Sequence, residues 1–307
     1  MDVTVTCAPC CWGVDDVRNP HLPPWQKVLD EARDAGFGGL ELGPYGYMPL
    51  DVTLVGEALV SRGLSIVAGT IFDDLVTPAN RENLLRQTRE ICALITALPQ
   101  PPAHGGQRFP APYLTVMDWG HDARDYAAGH SDRALRLPDT AWAGMMETLR
   151  QIADVARGYG VRAVIHPHAG GHIEFADEIE RLVADIPPEV AGLCLDTGHT
   201  LYAGMDPVAT LEKYWDRLDY IHFKDIDAEV FADVMGRRIR FFDACGEGVM
   251  CPIGRGVIDY PAIHALLEAK GYGGYITIEQ ERDPRNTGSI LEDLAASRSY
   301  LRETGFV

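Results

Sequence analysis

Residues 192–199 read GLCLDTGH, a short apolar run that ends in Asp196 and His199. A short apolar run bounded by polar residues is typical of a strand that is buried in a parallel sheet. Similar runs occur before and after this segment along the whole chain. The eight predicted strands are 3–7, 38–42, 64–70, 112–117, 161–167, 191–196, 218–224 and 274–279.

Segments of helical pattern separate these runs, near 24–36, 51–62, 78–98, 138–159, 175–185, 206–216, 259–270 and 288–302. Strands that alternate with helices predict βαβ units, and eight units in 307 residues favour one closed barrel over two doubly wound domains. We therefore expect an α/β fold in which residues 1–307 form a single (β/α)8 TIM barrel. Two longer loops, near 99–111 and 225–257, are expected to lie over the C-terminal face as lids.

The composition excludes several classes of function. Lys and Arg number 27 against 45 Asp and Glu, and the resulting net charge of −18 repels nucleic acid and anionic membranes. No run approaches the ~18 apolar residues that cross a bilayer, and the first residues resemble no secretion signal, so we predict a cytoplasmic protein. Seven irregularly spaced cysteines predict reduced thiols. No Gly-rich stretch matches a phosphate-binding or dinucleotide motif, so no nucleotide cofactor is expected.

Each of the last four predicted strands ends in side chains that can bind a metal. These are His166 and His168, then Asp196 and His199, then His222, and finally Glu279. Barrel enzymes place their active sites at this end of the strands. Imidazole nitrogen together with carboxylate oxygen suits a borderline divalent ion, and such an ion offsets the cost of burying several ionisable groups in one barrel mouth.

Four segments, DTGH at 196–199, HFKD at 222–225, residues 252–260 and the strand before Glu279, resemble the sugar isomerase/epimerase superfamily of xylose-isomerase-like barrels. Within it, the chain is most similar to inosose (2-keto-myo-inositol) dehydratases, through residues 8–13, 39–49 and 166–171. The resemblance covers nearly the whole chain. It implies Asp196, His222 and Glu279 as ligands of one divalent ion, with Mn²⁺ or Co²⁺ favoured and Zn²⁺, Fe²⁺ and Mg²⁺ open.

The chain departs from the superfamily pattern at two places. The fourth ligand is usually a Glu at the end of the fifth strand, where this chain has His166. We expect His166 to bind the metal by its position, with His168 or Glu174 as alternatives. Arg255 stands where relatives commonly have an acidic residue, and it is either a surface charge or a substrate contact.

The resemblance implies a metal-dependent dehydratase, a carbon–oxygen lyase, acting on a keto-cyclitol or keto-sugar such as 2-keto-myo-inositol. An α-proton is removed, the metal stabilises the enolate, and the β-hydroxyl leaves. Lys224, its pKa lowered near a dication, is the predicted base. The remaining predicted catalytic residues are His199, Glu41 and Glu279. The predicted substrate contacts are Trp12, Tyr45, His168, His121, Arg255 and Arg282.

Three alternatives remain open at this stage. The same enediolate-like intermediate serves an epimerase or isomerase of a ketose, a sugar phosphate or a keto-glycoside. A barrel that kept a sugar pocket and lost turnover would be a binding protein. Phosphodiester hydrolysis, known in a related branch, is disfavoured by the net charge of −18 and by the absence of a Glu on the fifth strand. A homodimer or homotetramer is expected by analogy with similar barrels.

Overall fold

The computed structural model of the chain describes residues 1–286 and 288–307. Its strands are β1 (Asp2–Cys7), β2 (Gly39–Leu40), β3 (Ser65–Ile66), β4 (Ala68–Asp73), β5 (Tyr113–Asp118), β6 (Arg162–Ile165), β7 (Gly192–Asp196), β8 (Leu218–Phe223), β9 (Asp225–Ile226), β10 (Met250–Cys251) and β11 (Gly273–Ile278). Its α-helices are α1 (Trp25–Asp34), α2 (Val52–Val60), α3 (Arg81–Ala97), α4 (Asp122–Asp125), α5 (Asp139–Gly158), α6 (Ala176–Asp185), α7 (Thr197–Tyr202), α8 (Pro207–Lys213), α9 (Ala228–Arg237), α10 (Phe241–Gly246), α11 (Tyr260–Lys270) and α12 (Ile290–Glu303).

The main sheet is parallel and closes on itself. Its order is β3-β2-β1-β11-β8-β7-β6-β5-β4, so β3 and β4 stand at opposite edges although they follow each other in the chain. Val67 joins them, because its N–H donates to Leu40 O and its carbonyl accepts from Tyr113 N, both at 2.9 Å. β3 and β4 are therefore two parts of one strand, and the predicted TIM barrel is confirmed.

The strands are buried on both faces, which explains why their sequences are nearly all apolar. One small cluster contains Tyr113, Val164, Cys194, Tyr220 and Tyr275, each from a different strand. Side chains from that many strands can meet only inside the barrel. The larger apolar cluster lies between the strands and the surrounding helices, whose apolar stripes face inward. The barrel is thus a packed core with its polar strand ends at one face.

The segment 99–111 lies at the N-terminal end of the barrel, so its predicted position over the C-terminal face is wrong. His104 Nδ1 is 3.0 Å from Asp2 Oδ1, and Gly105 N donates to Asp2 Oδ2 at 2.7 Å. Tyr275 OH donates to Pro102 O at 2.5 Å. The reason is topological, because this segment follows α3 and precedes β5, and such connections lie at the starts of the strands.

The segment 225–257 lies at the C-terminal end and is folded rather than extended. It contains α9, α10 and a small antiparallel pair of β9 with β10. Phe241 N donates to Asp125 Oδ1 at 3.1 Å, which anchors α10 to the short helix α4. Among the described residues, no helix has the length and apolar character that a membrane crossing requires. All seven cysteines are free thiols.

Candidate active site

The four predicted metal ligands converge at the C-terminal ends of β6, β7, β8 and β11. His166, Asp196, His222 and Glu279 each offer a ligand atom, and these four atoms all lie within 4.8 Å of one another. The two histidines and Asp196 are at most 1% exposed. We call this group the central cluster. His166 directly follows β6, the fifth strand of the barrel, and this position brings it into the cluster.

Two ring nitrogens of the central cluster are buried and form no hydrogen bond among the described residues: Nε2 of His166, and Nδ1 of His222, which lies 3.1 Å from Glu279 Oε2. The other nitrogen of each ring is bonded. His166 Nδ1 is 3.1 Å from Cys194 O, and His222 Nε2 is 2.8 Å from Glu41 Oε1. In a neutral ring anchored through one nitrogen, the other nitrogen presents a lone pair, as in metal-ligating histidines. Burial lowers the pKa of His222, but Cys194, Glu279 and Glu41 outweigh it and raise this pKa well above its usual range, so a metal ion there would replace a ring proton. Burial lowers the pKa of His166 well below its usual range, which favours the neutral ring.

Glu41, predicted as a catalytic group, contacts His222. It is 3% exposed, and its Oε1 also accepts a hydrogen bond from Tyr220 OH at 2.8 Å. Although Glu41 also lines the cavity described below, both of these bonds hold the same oxygen in place. These contacts suit a positioning residue that orients His222.

Lys224 is fully buried and its ammonium group contacts three carboxylates. Nζ is 2.8 Å from Asp196 Oδ2 and 3.0 Å from Glu281 Oε1, and it also donates to Glu279 Oε2. Burial alone would lower the pKa of Lys224, but these carboxylates raise it well above its usual range. The prediction of a lowered pKa for Lys224 is therefore wrong when only the charges of the chain itself are counted. A Cβ at Gly198 would lie 2.5 Å from Lys224 Cβ, which explains the glycine of the DTGH motif.

Glu281 is a functional candidate that the sequence reasoning missed. It is 5% exposed, and its Oε2 is buried with no hydrogen-bond partner among the described residues. Burial raises the pKa of Glu281 to about 7, an effect that Lys224 partly offsets. Glu281 stands two residues beyond Glu279 on the same side of the extended chain, and that period of two is the signal that could have found it.

A cavity of about 1140 Å³ opens onto this group. Glu279, Glu281 and Asp15 are among its acidic lining residues. Aromatic rings form one wall, with Trp119 stacked on Phe72 at 5.1 Å and edge-on to Phe242 at 5.0 Å. Such a wall suits the C–H face of a polyol ring, and the carboxylates suit its hydroxyl groups. Phe242 comes from α10, so the long segment 225–257 contributes to the site.

Four predicted site residues lie elsewhere. Trp12 is fully buried and donates from Nε1 to Glu31 Oε2 at 2.6 Å, which makes it a core residue. Arg255 is exposed in the loop before α11, so it is a surface charge. His121 does not line the cavity, and its Nε2 lies 3.2 Å from Asp74 Oδ1 and 3.4 Å from Asp118 Oδ1. Glu174 accepts from Gly129 N at 2.7 Å and from Gly170 N at 3.0 Å, and it joins loops instead of replacing His166.

Four further predicted residues are at or beside the cavity. Tyr45, His168 and Arg282 line it. His199 lies behind it, where its Nδ1 accepts from Ala169 N at 3.2 Å and its Nε2 is 3.9 Å from Glu281 Oε1. A neutral His199 ring with an occupied acceptor carries its proton on Nε2, so it faces Glu281 as a donor.

Comparison with known proteins agrees with this geometry. The model of the family described as xylose isomerase-like TIM barrel matches residues 29–303. The chain belongs to this family. An inosose dehydratase from Geobacillus thermodenitrificans is 29% identical over 308 residues, covering 98% of this chain and 97% of that protein. This xylose isomerase-like barrel is an enzyme of its superfamily, as the resemblance implied.

Solved structures share the fold of this xylose isomerase-like barrel at low sequence identity. The probable 3-DHS dehydratase from Bacillus anthracis superposes with a TM-score of 0.72 at 14% identity, covering 98% of this chain and 99% of that one. The IolI protein with a bound zinc atom superposes with a TM-score of 0.70 at 12% identity, covering 98% and 97%. At this identity the likeness establishes the architecture.

Proposed function

We propose that this chain is a divalent-metal-dependent dehydratase of a neutral keto-cyclitol, such as 2-keto-myo-inositol. The observation that carries the proposal is that His166 Nε2 and His222 Nδ1 are buried without a hydrogen bond in a cluster whose ligand atoms, with those of Asp196 and Glu279, lie within 4.8 Å of one another. Full-length similarity to proteins named inosose dehydratase supports the substrate class. The zinc in the structurally similar IolI protein supports a metal at the barrel mouth.

The donor set of the central cluster fits a borderline divalent ion. Two imidazole nitrogens and two carboxylates suit Mn²⁺, Co²⁺, Zn²⁺ or Fe²⁺ better than Ca²⁺, which prefers oxygen alone. We favour Mn²⁺ or Co²⁺. An ion held by His166, Asp196, His222 and Glu279 would act as a Lewis acid toward a substrate carbonyl, a contribution of several kcal/mol.

We assign the proton transfer to Glu281. Dehydration removes a proton from the carbon next to the carbonyl and a hydroxyl from the following carbon, which leaves as water. Glu281 lines the cavity, and its Oε2 is free of partners to accept that proton and to return it to the departing hydroxyl. Lys224 holds the other oxygen of Glu281 at 3.0 Å and so positions the carboxylate.

The charges around the cavity favour an unphosphorylated substrate. Four arginines line it, and each already pairs with a carboxylate: Arg18 with Asp16, Arg86 with Glu90, Arg282 with Asp293, and Arg285 with Asp283. Each pair partly neutralises the positive charge that a phosphate would need, although Arg282 Nε remains an unpaired donor. A phosphate would also oppose the carboxylates of Asp15, Glu279 and Glu281. Neutral hydroxyl groups can instead donate to these carboxylates.

The test is to incubate the manganese-loaded or cobalt-loaded protein with 2-keto-myo-inositol in D₂O and to follow the product by mass spectrometry. Loss of one water with formation of a diketone supports the proposal. A deuterated product that keeps all its oxygen would instead identify an epimerase. Absence of any product, with metal bound and the fold intact, would reject the substrate class.

A further inference from the structure

A second group of ligand-type side chains lies at the rim of the barrel, outside the site described above. It consists of Asp74 after β4, Asp118 at the end of β5, His121 before α4, and His172 in the loop after β6. We call these four residues the rim cluster. Asp118, His121 and His172 place ligand-type atoms within 4.8 Å of one another. No member of the rim cluster belongs to the central cluster or lines the cavity among the described residues.

The geometry around His121 differs from that of an ordinary hydrogen bond. Its Nε2 is 3.2 Å from Asp74 Oδ1 and 3.4 Å from Asp118 Oδ1. This nitrogen is nevertheless buried. Neither oxygen lies in a hydrogen-bonding direction, so His121 Nε2 has no hydrogen-bond partner among the described residues. Two ligands about 2.0–2.1 Å from one tetrahedral zinc ion are themselves about 3.3 Å apart. Both distances match that spacing.

The surrounding contacts hold the donors in place. Asp118 Oδ2 accepts from His172 Nδ1 at 2.8 Å and from His172 N at 2.9 Å. If the His172 ring is neutral, that bond leaves the lone pair on its Nε2. Asp74 Oδ1 accepts from Val76 N and Thr77 N, both at 2.8 Å. Asp74 and Asp118 are therefore held beside His121 Nε2 without a hydrogen bond to it. A dication bound between the three side chains would supply the missing interaction.

We propose that the rim cluster is a second cation site, which binds Zn²⁺ through Asp74, Asp118 and His121, with His172 as an additional ligand or as the partner of Asp118. The ion would join the loops after β4, β5 and β6. Trp119 lies between Asp118 and His121 in the chain and forms part of the cavity wall. Zinc at the rim would therefore stiffen the aromatic wall of the cavity without touching the substrate.

The test is to count bound zinc by elemental analysis after dialysis of the wild-type protein and two variants. Asp74→Asn keeps an oxygen for Val76 N and Thr77 N while it removes the charge, and His121→Ala removes the ring nitrogen. We expect each variant to hold one zinc ion fewer per chain than the wild type. His104→Ala is the matched control, because His104 pairs with the single carboxylate of Asp2 at the opposite end of the barrel; its zinc content should equal that of the wild type.

Hydrogen exchange provides a readout that does not depend on counting ions. Zinc added to the metal-free wild type should slow amide exchange at Val76 and Thr77 by at least about tenfold. In the His121→Ala variant, zinc should leave the exchange rates of the same two amides unchanged. Equal zinc content in the wild type and both variants would overturn the proposal. So would unchanged exchange at Val76 and Thr77 in a folded wild type saturated with zinc, because His121 would then bridge the two carboxylates by its own proton.

Discussion

The two ends of the barrel use buried charge in opposite ways. At the N-terminal end, Arg162 donates from Nε to Asp219 Oδ2 at 2.7 Å and from Nη2 to Pro188 O at 2.6 Å. At the C-terminal end, His166 Nε2 and Glu281 Oε2 are buried without partners among the described residues. An unpaired buried polar atom costs free energy and calls for an explanation, such as a ligand. Buried unpartnered atoms also occur toward the N-terminal end, at His104 Nε2 and Arg217 Nε, but neither residue belongs to a candidate metal cluster or lines the cavity. We therefore expect the C-terminal end to be the one that binds and reacts.

The strongest test of this comparison removes a ligand of the central cluster. His222→Ala should lose the bound ion and lower kcat/KM by ~1000-fold or more, since a metal Lewis acid supplies several kcal/mol. Metal content and kcat/KM are measured on the same preparation. His104→Ala, at the N-terminal end, should keep both. Full metal content in the folded His222→Ala protein would contradict the ligand assignment.

The second test separates proton transfer from metal binding. Glu281→Gln keeps the size of the side chain but cannot accept a proton, so we expect kcat to fall by ~10²- to 10⁴-fold. Bound metal should remain at the wild-type level. Glu247→Gln is the control, because Glu247 also lines the cavity but pairs with Arg237 at its rim. A Glu281→Gln enzyme with wild-type kcat would remove Glu281 from the mechanism.

The third test is directed at the N-terminal end. Asp219→Ala leaves the guanidinium of Arg162 without its carboxylate, and we expect the free energy of unfolding to fall by ~3–5 kcal/mol. kcat of the folded fraction should not change. Asp216→Ala, at an exposed position just before β8, should alter stability by less than about 0.5 kcal/mol. Urea unfolding measures both, and a large change in kcat for Asp219→Ala would break the division between the two ends.

The smallest effect is expected at Glu41. Glu41→Gln keeps an oxygen near His222 Nε2 but removes the negative charge that makes the imidazole a better ligand, so metal affinity should fall by ~10- to 100-fold. At saturating metal, kcat should recover to near the wild-type value. Titration with Mn²⁺ followed by activity measures this. If kcat stays low at saturating metal, Glu41 acts directly on the substrate.

The sequence predicted the barrel and the central cluster because both depend on a simple rule. Parallel strands of a barrel bring their ends to one face, so polar residues at the ends of the last four strands were expected to be neighbours. The resemblance to xylose-isomerase-like barrels then implied Asp196, His222 and Glu279 as the ligands, and position added His166. The rule says nothing about the direction of a side chain beyond the strand. Trp12 follows β1 and Arg255 lies in the long segment 225–257, yet one packs in the core and the other is exposed to solvent.

Lys224 illustrates the same limit for electrostatics. The sequence places a lysine beside a predicted dication, which suggested a lowered pKa. The fold surrounds its ammonium with Asp196, Glu279 and Glu281, which raise the pKa instead. Charges act through space, and the residues that decide this pKa are as far apart in the chain as Asp196 and Glu281.

By itself, the sequence determined the architecture and the chemical type of the site, because strand periodicity and the identity of strand-end residues are local properties of the chain. Only the tertiary structure decided which of the neighbouring polar groups are paired and which are free. It placed segment 99–111 at the N-terminal end, made Glu41 the partner of His222, and left Glu281 open to the cavity. These outcomes depend on contacts between distant segments, whose distances and directions no local pattern records.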